Sequence, residues 1–121
     1  MKASPIIAVV DDDPGVRGSI DSLLRSAGMS GLLFASAEQV LASGLSESVR
    51  CVVTDLHLPG MSGLDLQHEI GRRGWRQPVV VMTAFPTVTS RTAAAEVGAV
   101  AYLTKPIEPE TLLSLLREHT V

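Results

Sequence analysis

The chain has 121 residues, 45% of them apolar and 19% charged, a composition that suits one compact domain spanning residues 1–121 and leaves no room for a second. A net charge of −3, with only ten basic residues, supplies no stripe to grip a nucleic-acid backbone. The single cysteine excludes an internal disulfide, residues 1–5 lack a secretory h-region, and no apolar run approaches the roughly 18 residues of a membrane span, so a soluble cytoplasmic protein is expected.

Apolar runs of strand length alternate with amphipathic segments of helix length, the pattern of βαβ units building a parallel sheet. Residues 6–10, Ile-Ile-Ala-Val-Val, are apolar at consecutive positions, as expected of a strand covered on both faces. Asp11, Asp12 and Asp13 follow, half of the chain's six aspartates. Asp13 can cap a helix that has Pro14 in its first turn, Val16, Ile20, Leu23, Leu24 and Ala27 along one face, and Gly28 at its end. A weaker strand at 31–35 precedes a short helix opened by Ser36, with Gln39 at capping-box spacing.

Residues 50–54 form a third strand ending at Asp55, and here Cys51 reads as a small core residue rather than a catalytic thiol. Pro59-Gly60-Met61-Ser62-Gly63 is a loop before a helix at about 64–73. Residues 78–82, β-branched through their middle, make the clearest strand, ending at Thr83. Phe85-Pro86 then turns the chain. The segment 87–97 is rich in Ala and Thr, so the helix it forms has a shallow apolar face and docks weakly. A short strand at 100–103 runs into Thr104-Lys105-Pro106, and a last helix carries Leu112, Leu113, Leu115 and Leu116 on one side.

On this skeleton Asp11, Asp12, Asp55, Thr83 and Lys105 all follow strands at one carboxyl edge, where open parallel α/β sheets bind ligands. Converging carboxylates repel one another and need a cation, a proton or hydrogen bonds in compensation. A hard divalent ion such as Mg²⁺ suits such oxygens and keeps waters for a phosphate. Lys105, with Lys2 one of only two lysines, can reach a phosphoryl oxygen, and the Thr83 hydroxyl another. Asp55 is then the natural nucleophile for an aspartyl-phosphate. Taken singly, Asp12 and Asp13 read equally well as helix caps, Asp55 as a turn residue, Thr83 as a cap and Lys105 as a solvated charge. None of these readings explains why all five groups share one edge.

Four motifs in this order resemble the receiver domains of two-component response regulators: Val9-Val10-Asp11-Asp12-Asp13, the stretch from Val53-Thr54-Asp55 to Ser62-Gly63, Val81-Met82-Thr83-Ala84, and Tyr102-Leu103-Thr104-Lys105-Pro106. The wording around Asp55 and Gly98-Ala99 is most similar to FixJ/NarL-type regulators. The resemblance implies a doubly wound (βα)5 flavodoxin-like fold with a five-stranded parallel sheet in order 2-1-3-4-5, the order found in the receiver CheY. It also implies phosphorylation of Asp55 by a sensor histidine kinase or phosphotransfer protein. Mg²⁺ would be held by Asp12, Asp55 and the backbone carbonyl of His57, with Asp11 supporting its shell. Thr83 and Lys105 would bind phosphoryl oxygens, across an expected cis bond between Lys105 and Pro106.

By the same resemblance, phosphorylation draws the Thr83 hydroxyl inward and Tyr102 turns into the vacated space. That changes the surface of the fourth helix, fifth strand and fifth helix, which would control a transcriptional output domain or a docking partner, or form a homodimer. A partly buried Tyr102 with a wet hydroxyl is the plainer alternative. His57 and Phe85 depart from common family wording: His57 can orient the hydrolytic water and Phe85 impede it, or both only line the rim. Trp75 is expected to anchor a loop to the body. Rival readings are a small Mg²⁺-dependent phosphatase or phosphotransferase with an aspartyl nucleophile, disfavoured because Asp55 is followed by Leu56-His57 rather than a second Asp two residues on, and a metal-independent docking module.

Overall fold

Alternation of side chains along a strand sends neighbouring residues to opposite faces, and that sorts the apolar runs into two cores. A computed structural model describes residues 4–120; Lys2 lies outside that range. The elements in order are β1 (Ile6–Val10), α1 (Pro14–Ser26), β2 (Ser30–Phe34), α2 (Ala37–Ser43), β3 (Val49–Asp55), α3 (Gly63–Arg72), β4 (Val79–Thr83), α4 (Val88–Glu96), β5 (Ala101–Thr104) and α5 (Pro109–His119). All strand pairs are parallel, in the order β2-β1-β3-β4-β5, so the expected doubly wound α/β fold is present. Ala8, Val10, Val52 and Val81 pack with Val40, Leu66 and Ile70 on one face, whereas Ile7, Val9, Val53 and Val80 pack with Ile20, Leu24, Leu112 and Leu116 on the other. Burial on both faces is why β1 and β4 show no polar alternation.

Helix starts follow local hydrogen bonding. Asp13 caps α1 by accepting from the Gly15 amide at 2.8 Å. Ser36 caps α2 by accepting from the Gln39 amide at 3.2 Å, but the Gln39 side chain turns to the Ala35 amide, 2.8 Å away. The expected box is therefore only half made at its own cap. A reciprocal box forms at α3, between Ser62 and Asp65, and it starts that helix at Gly63, one residue before the expected position. Glu108, which carried no expectation, caps α5 through the amides of Glu110 and Thr111.

Two helices differ in how firmly they dock. Leu112, Leu113 and Leu116 of α5 are buried, whereas Leu115 is only half-buried; it lies roughly 100° round the helix from the middle of that stripe. On α4 Ala94 is the one buried side chain, in keeping with a shallow face. The edge strand β2 runs one residue earlier than expected and leaves Leu32 and Leu33 exposed. Among the described residues no helix is long and apolar enough to cross a membrane.

Cys51 is fully enclosed, and desolvation pushes its thiol up to about 12, against a smaller opposing influence from the Val52 backbone. Below the ordinary value of 9 both states keep the proton and stability is unaffected. Above it the unfolded chain loses the proton while the folded thiol keeps it, so stability falls as pH rises towards 12. In urea titrations at pH 8 and 10, wild type should lose about 1.4 kcal/mol more than Cys51→Ala between the two; equal losses would refute the burial argument.

Candidate functional site

Parallel pairing brings the ends of four strands level. Asp11 follows β1, Asp55 closes β3, Thr83 closes β4, and Lys105 follows β5. Val10 stands opposite Thr54, Asp55 opposite Met82, and Thr83 opposite Thr104. The Lys105 amide donates to the Thr83 carbonyl at 2.8 Å, extending the last ladder by one bond. Asp11, Asp55 and Thr83 are buried, and Asp12 is exposed.

Lys105 joins the two buried acids. Its Nζ donates to Oδ2 of Asp11 at 2.7 Å and to Oδ2 of Asp55 at 3.0 Å. Desolvation is the largest single influence on the ammonium and pulls its pKa down. The hydrogen bonds and charges of Asp11 and Asp55 together outweigh it, and the net shift is upward. The peptide bond between Lys105 and Pro106 is cis. Other donors hold the free oxygens: the Asp13 amide on Oδ1 of Asp11 at 2.9 Å and the His57 amide on Oδ1 of Asp55 at 3.0 Å. Three carboxylates against one ammonium leave the edge negative.

Carboxylate oxygens of Asp11, Asp12 and Asp55 all lie within 4.8 Å of one another. Three hard oxygens so close together, two from buried acids, suit a hard divalent cation better than a soft or nitrogen-seeking one. Thr83 accepts from the Phe85 amide at 2.9 Å, and its own hydroxyl proton has no acceptor among the described residues. Phe85 is 72% exposed, and its ring meets the His57 ring edge-on, centroids 6.1 Å apart, so the two form one rim. Tyr102 is half-buried and turned to α4: its hydroxyl bonds Ser90 and accepts from the Thr87 amide at 3.3 Å, while the Arg91 guanidinium lies 4.5 Å from the ring centre. Trp75 sits apart from the site, half-buried against the core with Arg73 stacked on it.

Three supporting residues escaped the sequence reading. Arg17 donates to the Asp11 carbonyl at 2.6 Å. Glu38 accepts from the Met61 amide at 3.0 Å across 23 residues, which holds its carboxyl below the usual range and ties α2 to the loop after Asp55. Nothing local signals either contact. Gly63 had a signal, its place in the Asp55 motif: a Cβ there would stand 2.2 Å from the Asp55 carbonyl oxygen.

Comparison with known proteins identifies the family. The family model of the response regulator receiver domain matches residues 7–117. The chain belongs to that family. The receiver is 37% identical over 108 residues to Nodulation protein W of Bradyrhizobium diazoefficiens, covering 89% of this chain and 48% of that protein. It is 36% identical over 117 residues to the transcriptional regulatory protein FixJ of Azorhizobium caulinodans, covering 97% and 56%. It thus spans about half the length of these curated relatives. Among solved structures it matches FixJ-N with a TM-score of 0.86 at 30% identity, covering 99% of this chain and 95% of that one. A receiver protein from Pseudomonas putida matches with a TM-score of 0.90 at 27% identity, covering 98% and 99%.

The contact at Gly63 gives this receiver a backbone test. Because the atom in the way is a main-chain oxygen, Gly63→Ala must displace either α3 or the end of β3. Urea unfolding should show a loss of about 3 kcal/mol, the upper range for overpacking; a loss below about 0.5 kcal/mol, typical of open surface sites, would contradict the contact.

Proposed function

We propose that this receiver is a phosphorylation switch in which Asp55 accepts a phosphoryl group from a phosphohistidine on a sensor kinase or phosphotransfer protein. The observation that carries the reading is the Lys105 ammonium held between buried Asp11 and Asp55, with the Asp12 carboxylate and the Thr83 hydroxyl at the same edge. Asp11, Asp12 and Asp55, with the backbone carbonyl of His57, would hold Mg²⁺, which when bound draws negative charge from the phosphoryl oxygens and lets an anionic acid approach them. An Asp55 oxygen attacks phosphorus as the donor's P–N bond breaks, and the bonding pair leaves with the imidazole, which takes up a proton. Lys105 then exchanges one carboxylate partner for a phosphoryl oxygen, and the Thr83 hydroxyl turns its proton towards another.

Partner access has support of its own. A cleft of about 730 Å³ beside Lys105 is lined by Val16, Ile20, Leu23, Ile107 and Leu112, an apolar seat for a helix carrying the donor histidine. Movement of Thr83 pulls on its bond to Phe85 and opens space beside the Tyr102 ring. The α4, β5 and α5 surface changes in consequence and acts on an output domain, a docking partner or a second copy of the receiver. The domain works in the cytoplasm as one unit over residues 1–121, and its only chemistry is its own phosphorylation and dephosphorylation. Nothing in the family match favours a phosphatase acting on other substrates.

Intact-mass analysis after incubation with acetyl phosphate and Mg²⁺ tests the central claim. Wild type should gain one phosphoryl group and Asp55→Asn none, and chelation of the metal should abolish the gain; equal labelling of both proteins would sink the assignment. The exposed Phe85 ring, in edge-on contact with His57, would impede the hydrolytic water. Phe85→Ala should therefore lose its phosphoryl group several-fold faster than wild type in a chase without phosphodonor, and an unchanged rate rejects that role.

A further inference from the structure

Helix α4 is held by little. Ala94 is its one buried side chain, and Val88 at its start is 83% exposed. Side-chain hydrogen bonds from neighbouring elements pin its two ends. At the first turn the Tyr102 hydroxyl bonds Ser90 and Thr87. At the other end Gln67 of α3 donates from Nε2 to the carbonyl of Val97, the C-cap residue, at 3.0 Å.

Gln67 is a costly residue for that place. It is 5% exposed, and its Oε1 is buried with no partner among the described residues. A buried amide with an unpaired acceptor is worse for stability than an unbranched apolar chain of the same length. Packing therefore gives no reason for an amide between Leu66 and Ile70 on the buried side of α3. What glutamine supplies and methionine does not is the N–H aimed at the last turn of α4, where a carbonyl has no helical donor.

We propose that the bond from Gln67 to Val97 is a latch that fixes the C-terminal end of α4 in the resting receiver, so that its strength limits how readily the switch face rearranges and Asp55 is phosphorylated. Gln67 is thus a positioning residue, distant in sequence from every member of the phosphoacceptor edge. The latch on α4 stands on geometry alone; its effect on phosphorylation rests on the reading given under Proposed function. Tyr102 and Gln67 bracket a helix with almost no apolar anchor, and a two-point attachment of that kind can release one end while the other holds.

Gln67→Met keeps length and volume and removes the donor. Amide hydrogen exchange in the unphosphorylated protein should speed up at least tenfold over 91–99 while β1 and β3 exchange as in wild type, and labelling by acetyl phosphate should be several-fold faster. Unchanged exchange over 91–99, or a rise spread evenly over the whole domain, overturns the latch. Faster exchange with an unchanged labelling rate overturns its control of phosphorylation. Should wild type itself fail to label, the phosphorylation reading falls and the exchange comparison still decides the latch. If the variant does not fold, the wild-type side chain decides by NMR: Gln67 amide protons must exchange far more slowly than those of exposed Gln39, and equal rates overturn the proposal.

Discussion

Two buried carboxylates and one ammonium set the terms for the whole carboxyl edge of the sheet. Asp11 and Asp55 come from neighbouring strands that the sheet must pair, and neither side chain has room to retreat into solvent. Left alone they would repel, and burial would raise the cost further. Lys105, delivered by the opposite end of the same sheet, bonds both. The edge stays short of positive charge by at least one unit, and that deficit is what makes it receptive to a divalent cation.

Rigid backbone surrounds this imbalance. Gly63 presses α3 against the Asp55 carbonyl, Glu38 ties the following loop to α2, and the Asp13 and His57 amides orient the two acids. Such fixation suits the nucleophilic role proposed for Asp55, because a reacting carboxylate that wanders loses alignment. On the far side of Thr83 the design is opposite. Helix α4 rests on one alanine and on hydrogen bonds from Tyr102 and Gln67, so a small shift at Thr83 meets little packing resistance there. A stiff site beside a lightly held helix is a physical basis for turning local charge into a surface change.

Much of this arrangement was legible before any coordinates. Periodicity and β-branching located all ten elements, because strands covered on both faces need unbroken apolar runs and α1 and α5 need stripes. The clustering of Asp11, Asp12, Asp55, Thr83 and Lys105 was readable because each follows a strand, and parallel strands end at one edge. Errors fell where the local signal was weak or shared. The edge strand β2, with Leu32 and Leu33 outside the core, had only Phe34 buried to fix its bounds. Ser36 and Gln39 had the spacing of a capping box, but Gln39 found the Ala35 amide instead. Leu115 matched its neighbours in composition and not in direction.

Composition, period and spacing thus determined the fold class and the set of polar residues sharing the sheet's carboxyl edge, since these depend on backbone periodicity and on where strands end; the strand order came only from the resemblance to receiver domains. Tertiary structure alone decided that Lys105 bonds both Asp11 and Asp55, that Glu38 reaches Met61, and that Gln67 reaches Val97. Those contacts join residues 23 to 94 positions apart. No local preference encodes them, because they exist only once the packing of sheet and helices has set the distance between side chains.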